Sequence, residues 1–138
     1  MPMRLNPYIN FRTTAREALE FYHAVFGGEL SVMTFAQGGM PHDPAQADLV
    51  MHGQVDTPAG FTLMVSDTPE TMPLTMGGNI SVSLSGDDEA TLTGYYNVLL
   101  EGGQTLQPLV KAPWGDTFGM LTDKFGVTWL CNIAGQPQ

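Results

Sequence analysis

His52 and Gln54 stand two residues apart in Met51-His52-Gly53-Gln54-Val55, so a strand presents both on one side and Met51 on the other. An imidazole changes charge near neutral pH, which lets it act as a general base or orient a substrate oxygen. It can equally serve as a structural group bonding a carbonyl, and the sequence leaves both roles open. A second polar set alternates along Asn6-Pro7-Tyr8-Ile9-Asn10-Phe11, with Asn6, Tyr8 and Asn10 on one face. Asn79, Ser81 and Ser83 repeat that spacing, and Asn132 lies in the last strand-like run. Pockets fix a ligand with a few such donors and acceptors on an apolar wall, so these residues are candidate pocket lining. Trp114, in Ala112-Pro113-Trp114-Gly115-Asp116, occupies a turn-like stretch where an indole can stack on a ligand, cross a dimer interface or pack into the core.

Other chemistries find little support. Cys131 is the only cysteine, which excludes an internal disulfide and a thiolate cluster for zinc, and its apolar run Trp129-Leu130-Cys131 reads as core. Nothing assembles a Ser-His-Asp or Cys-His set. The Gly-Gly pairs follow helices rather than open them, so there is neither a P-loop nor a dinucleotide fingerprint. Only 5 Lys and Arg face 14 Asp and Glu, a net charge of −9. Phosphate backbones are bound by clustered cations, so nucleic acid and anionic membrane are not expected partners, whereas a cationic small molecule would be attracted. No apolar run approaches the roughly 20 residues that span a bilayer, and the first residues lack a signal-peptide pattern, so the expected location is the cytoplasm.

The elements that must position these residues occur twice. Asn79 lies 73 residues after Asn6, Tyr96 lies 74 after Tyr22, and Gly102 lies 75 after Gly27. A near-constant offset through strand, helix and cap points to duplication of one βαβββ unit. In the first copy, residues 5–11 alternate as a strand, and Thr14-Ala15-Arg16-Glu17 reads as a capping box. The helical stripe Ala15, Ala18, Leu19, Tyr22, Val25 and Phe26 then stops at Gly27-Gly28. Strands are expected at Leu30–Phe35, Leu49–Val55 and Phe61–Val65, with a surface loop from Gly38 to Asp48 over a pocket. In the second copy, 79–84 forms the strand and Asp87 or Asp88 caps a helix whose buried face is Tyr95, Tyr96, Leu99 and Leu100. Strands near Thr105–Val110, Thr117–Leu121 and Val127–Ile133 follow. The 138 residues suit one domain, with module one at about 4–67, a linker at about 68–78 and module two at about 79–134.

Leu5-Asn6-Pro7-Tyr8-Ile9-Asn10-Phe11, Glu17-Ala18-Leu19-Glu20-Phe21-Tyr22 and Phe26-Gly27-Gly28-Glu29 together resemble the opening of PhnB-like proteins. These belong to the vicinal oxygen chelate superfamily of glyoxalases, bleomycin-resistance proteins and extradiol dioxygenases. Met51-His52, Met64-Val65-Ser66-Asp67 and the stretch from Phe118-Gly119 through Thr122-Asp123-Lys124-Phe125-Gly126-Val127 to Trp129 and Asn132 extend the likeness over almost the whole chain. The resemblance implies an α+β fold in which two βαβββ modules form a curved mixed-sheet cup, usually within a homodimer, and the family pattern has a histidine at His52.

Metal enzymes of the family place His, Gln or Glu ligands on the first and last strands of each module. Carried over by periodicity, those positions fall at Asn6, Asn79, Met64 and Leu130, or two residues on at Tyr8, Ser81, Ser66 and Asn132. Neither set holds a histidine or carboxylate, so no metal site and no cofactor are expected. The expected function is metal-free binding of a cationic or aromatic small molecule, lined by Asn6, Tyr8, Asn10, Gln54, Asn79, Ser81, Trp114 and Asn132. The competing expectation is a glyoxalase-like or dioxygenase-like enzyme that uses a displaced divalent metal or His52. A dimeric domain without a small-molecule role is the third.

Overall fold

The first strand begins three residues after the alternation does. Tyr8–Phe11 forms strand β1, Ala15–Phe26 helix α1, Glu29–Thr34 strand β2, Phe35–Gly38 the short helix α2, Val50–Asp56 strand β3 and Thr62–Asp67 strand β4. The computed structural model describes residues 3–39 and 42–135. The second unit contains β5 (Val82–Gly86), α3 (Glu89–Leu100), β6 (Gln104–Lys111), β7 (Thr117–Thr122) and β8 (Thr128–Ile133). The chain divides into two compact units, Met1–Met76 and Gly77–Gln138. Each holds one open four-stranded sheet, ordered β1-β4-β3-β2 in the first and β5-β8-β7-β6 in the second. The first strand runs parallel to the last of its own module and every other pairing is antiparallel, so both are mixed βαβββ sheets. Register shifts at Met33/Thr34 and along Thr105–Val110 add local twist and curvature. Among the described residues no helix is long and apolar enough to cross a membrane.

In the first unit α1 lays Ala15, Ala18, Leu19, Tyr22 and Phe26 on the sheet, where Phe11, Val55, Leu63 and Val65 complete the core. Gly53 lets the helix approach, because a Cβ there would overlap Leu19. In the second unit Leu92, Tyr96 and Leu99 of α3 are buried, with Leu84, Leu121, Trp129, Cys131 and Ile133 beneath. Leu92 replaces the expected Tyr95 and Leu100, which are only half-buried. Trp129 is core and its Nε1 donates to Asp123 Oδ2 at 2.9 Å.

The repeat extends to turn chemistry. Gly27 and Gly102 sit at φ 73° and 75°, the left-handed region open to glycine. Gly28 and Gly103 then pass so close to the end of a neighbouring strand that a Cβ would overlap the carbonyl of Asp56 or Thr122, respectively. Thr57–Phe61 and Asp123–Val127 close matching hairpins. In each, the first residue's amide bonds the fifth residue's carbonyl, and Gly60 or Gly126 donates back to the first.

Several local expectations are corrected. Thr14 makes no side-chain cap; Asp67 Oδ1, at the end of β4, accepts the Ala15 amide at 2.9 Å instead. The capping box belongs to α2, where Thr34 and Gln37 bond reciprocally, so Phe35 starts a helix rather than ends a strand. Part of the expected 38–48 loop is a one-turn 3₁₀ helix, Pro44–Gln46, and Met40 and Pro41 lie outside the described residues. Asp88 is the acid that caps α3, accepting the Thr91 amide at 3.1 Å. The second module's first strand begins at Val82, three residues later than the periodicity placed it.

Candidate functional site

Tyr8, His52, Gln54 and Asp56 form one hydrogen-bonded line on the sheet face that α1 leaves uncovered. Alternation directs Gly53 and Val55 toward the helix, so His52, Gln54 and Asp56 project from the other side. Met33 of β2 pairs opposite His52, and Met64 of β4 lies between Gln54 and Tyr8 of β1. Tyr8 Oη lies 3.1 Å from His52 Nδ1, and His52 Nε2 lies 3.3 Å from Gln54 Oε1. Gln54 Nε2 donates to both Asp56 oxygens at 3.0 and 2.9 Å. Thr62 Oγ1 donates to Asp56 Oδ1 at 2.8 Å, and Arg4 stands 3.9 Å from that oxygen. The Thr62 and Gln54 donors, with a lesser contribution from Arg4, hold the Asp56 carboxyl below the usual carboxylate range.

This line has a direction. A carboxylate only accepts, so Gln54 must turn its amide nitrogen to Asp56 and its carbonyl to His52. The carbonyl also only accepts, so neutral His52 carries its proton on Nε2. Nδ1 is then the acceptor, and the Tyr8 hydroxyl donates to it. One strand position further along the same face, Ser66 Oγ donates to Asn10 Oδ1 at 2.9 Å. His23, by contrast, bonds the Gly28 carbonyl at 2.9 Å, where it secures the end of α1.

The second unit carries a different face. A Cβ at Gly119 would crowd Tyr96 of α3, so Phe118 and Met120 point away from that helix together with Leu130 and Asn132. Asn132 Nδ2 donates to Asp116 Oδ2 at 3.0 Å, and the Gly135 amide donates to Asp116 Oδ1 at 2.8 Å. These donors, Asn132 first, hold Asp116 below the usual carboxylate range. Asp116 lines a cleft of about 770 Å³ with Asp87, Glu89, Lys111 and Trp114. Trp114 is 64% exposed and packs edge-on against Phe118 at 6.0 Å between ring centroids. A pocket of that size suits a small organic ligand, which typically occupies roughly 300–1,000 Å³.

Of the residues singled out from the sequence, the structure brings Tyr8, His52 and Gln54 into one network, with Asn10 further along the face. It brings Trp114 and Asn132 together through Asp116. Asn6 precedes β1 and bonds the Pro7 carbonyl at 3.1 Å, while Asn79 and Ser81 precede β5. Sequence reasoning missed Asp56 and Asp116. Continuing the alternation from His52 and Gln54 by one more step finds Asp56; nothing local marks Asp116.

The ladders also revise the equivalence between modules. Tyr8 pairs with Met64, and Leu130, the counterpart of Met64, pairs with Ser83 rather than Ser81. In the ladders Tyr8 and Asn10 thus neighbour Met64 and Ser66, and Ser83 and Ser85 neighbour Leu130 and Asn132. These donors do not fit a catalytic divalent metal, which takes imidazole and carboxylate ligands. Among the described residues no group of three or more His, Cys, Asp or Glu converges.

Fold and sequence together define a class. The chain belongs to the Glyoxalase/Bleomycin resistance protein/Dioxygenase superfamily, which it matches over residues 4–130. Within that class it is similar to protein PA1353 of Pseudomonas aeruginosa, at 34% identity over 98% of this chain and 100% of that one, with a TM-score of 0.85. It is also 28% identical to protein YjdN of Escherichia coli K12, over 97% of each chain. The PhnB protein of Bacillus cereus, at 23% identity, shares the fold over 96% of this chain and 100% of its own, with a TM-score of 0.74.

Proposed function

We propose that this protein binds a small organic cation with an aromatic or apolar body, without a catalytic metal and as a cytoplasmic homodimer. The observation that carries the reading is the cleft beside Trp114. An exposed indole, the carboxylates of Asp87, Glu89 and Asp116 and a single Lys111 offer a cation both a π face and opposite charge. The overall charge of −9 draws the same class of ligand from a distance. The dimer is supported by edge strand β6, where Leu106 and Val110 are 51% and 52% exposed. The cytoplasmic location rests on composition.

Benzyltrimethylammonium, titrated calorimetrically, should bind at one site per chain, and Trp114→Ala should weaken it about tenfold. That ratio corresponds to roughly 1.4 kcal/mol, within the range of a partly desolvated cation–π contact. No binding, or equal binding by the variant, would remove the cleft from the argument.

The metal-free part has its own test. Protein purified without chelator should retain well under one equivalent of nickel, zinc, manganese or iron and show no rise in melting temperature when each is added back. Stoichiometric retention of any one of them overturns that part.

A further inference from the structure

We infer that Tyr8 and His52 form a metal-free proton-transfer site for an acidic hydroxyl compound, a phenol or an enol, distinct from the cation-binding cleft. Tyr8 is 46% exposed, and its hydroxyl already donates to His52 Nδ1, so its oxygen lone pairs are what a ligand on this face meets. A ligand hydroxyl that donates to Tyr8 Oη completes a relay. Its O–H bond breaks and leaves the electron pair on the ligand oxygen. Tyr8 Oη gains that proton while its own passes to His52 Nδ1. The product is a ligand oxyanion held by the Tyr8 hydroxyl, beside an imidazolium whose Nε2–H still donates to Gln54. No oxidant or co-reactant is needed, because one proton has moved and no electrons have been lost.

The residues behind His52 favour this transfer. The Gln54 carbonyl accepts from Nε2, and Gln54 is fixed by the Asp56 carboxylate, so the new positive charge forms at the end of a line that terminates in a negative one. Tyr8 is the catalytic residue here; Gln54 and Asp56 are positioning residues. Asn10 lies two residues along the same strand face, roughly 7 Å from Tyr8 at the backbone. Ser66 occupies its carbonyl oxygen, which leaves the amide nitrogen to donate to a ligand oxygen. A hydrophobic border is supplied by Met33 and Met64, the cross-strand neighbours of His52 and Gln54. The charged and titratable groups around His52 are Tyr8 from β1, Asp56 on its own strand, Glu29 of β2 paired with Asp56, and Arg4 beside Asp56. Thr62 and Met64 of β4 carry no charge.

The experiment is an absorbance titration of the full chain with 4-nitrophenol at a pH where the free probe is mostly the neutral phenol. Saturable growth of the phenolate band is expected, reduced at least tenfold by Tyr8→Phe and by His52→Gln. Nitrogen-15 NMR of the wild type gives a second readout that needs no variant to fold. It should show neutral His52 protonated at Nε2, and Gln54→Leu should allow the other tautomer to appear. No phenolate band, a band that survives Tyr8→Phe, or a wild-type His52 protonated at Nδ1 would each overturn the inference. Retention of benzyltrimethylammonium binding by Tyr8→Phe would show that the two sites are separate, whereas its loss would overturn that separation.

Discussion

Replacing Asp67 with alanine should lower folding stability by about 3–5 kcal/mol, a large part of the roughly 5–15 kcal/mol available to a domain of this size. Asp67 is 4% exposed, and its two oxygens accept the amides of Ala15 and Val50, each at 2.9 Å. One carboxylate thereby closes the start of α1 and the start of β3. Removing it strands two buried N–H groups at about 1–3 kcal/mol apiece, with little water available to replace the lost acceptor. The pH dependence separates charge from geometry. Burial raises the Asp67 carboxyl above its ordinary 3.8, and the bonds from Val50 and Ala15 only partly oppose that shift. A raised folded value means that protonation favours the folded chain. This contribution is complete below 3.8 and is lost as pH rises through the folded value. The stability gap between wild type and Asp67→Ala, measured by urea denaturation, should therefore be wider at pH 3 than at pH 7. A gap that widens toward neutral pH would refute the assignment.

Gly28→Ala should be nearly as damaging, about 3 kcal/mol or more, with a melting temperature at least about 6–10 °C lower. Two effects combine at this residue. Its φ of 93° disfavours any side chain, and the new Cβ would overlap the Asp56 carbonyl, a backbone atom that cannot rotate away. Gly103→Ala separates the two effects, because Gly103 meets the same overlap at Thr122 without a positive φ. The expected order is Gly28→Ala, then Gly103→Ala, then wild type, read by thermal denaturation. Gly28→Ala also displaces the end of β3 that holds Asp56, so it should disturb the NMR signals of His52 while Gly103→Ala leaves them unchanged.

How much of this was legible depends on the range of the interactions. Period-two alternation placed Tyr8 with Asn10 on one face of their strand and His52 with Gln54 on one face of theirs, since side-chain direction in a strand is a local property. The Gly27-Gly28 stop was likewise readable, because cap geometry is set within a few residues. The cap at the start of α1 was not. Thr14 and Glu17 have the right spelling, but the acceptor comes from Asp67, 52 residues along the chain. Periodicity aligned Ser81 with Tyr8, whereas the ladder aligns Ser83, because strand offset within a sheet is decided by pairing partners rather than by the strand's own pattern. The Tyr8 to His52 contact spans 44 residues, and that the two strands turn these residues to the same face follows only from the ladder β1-β4-β3.

The parallel pairing of β1 with β4 also governs the order in which the chain can assemble. Tyr8 finds its ladder partner only at Met64, so the sheet of the first module cannot close before the last strand of that module exists. Loops of this length make closure the slow entropic step, and Asp67, which locks helix to sheet, arrives with the same strand. The second module repeats the arrangement with β5 and β8. On a ribosome the first module can therefore complete itself while the second is still being made, and each module commits to its structure at its final strand.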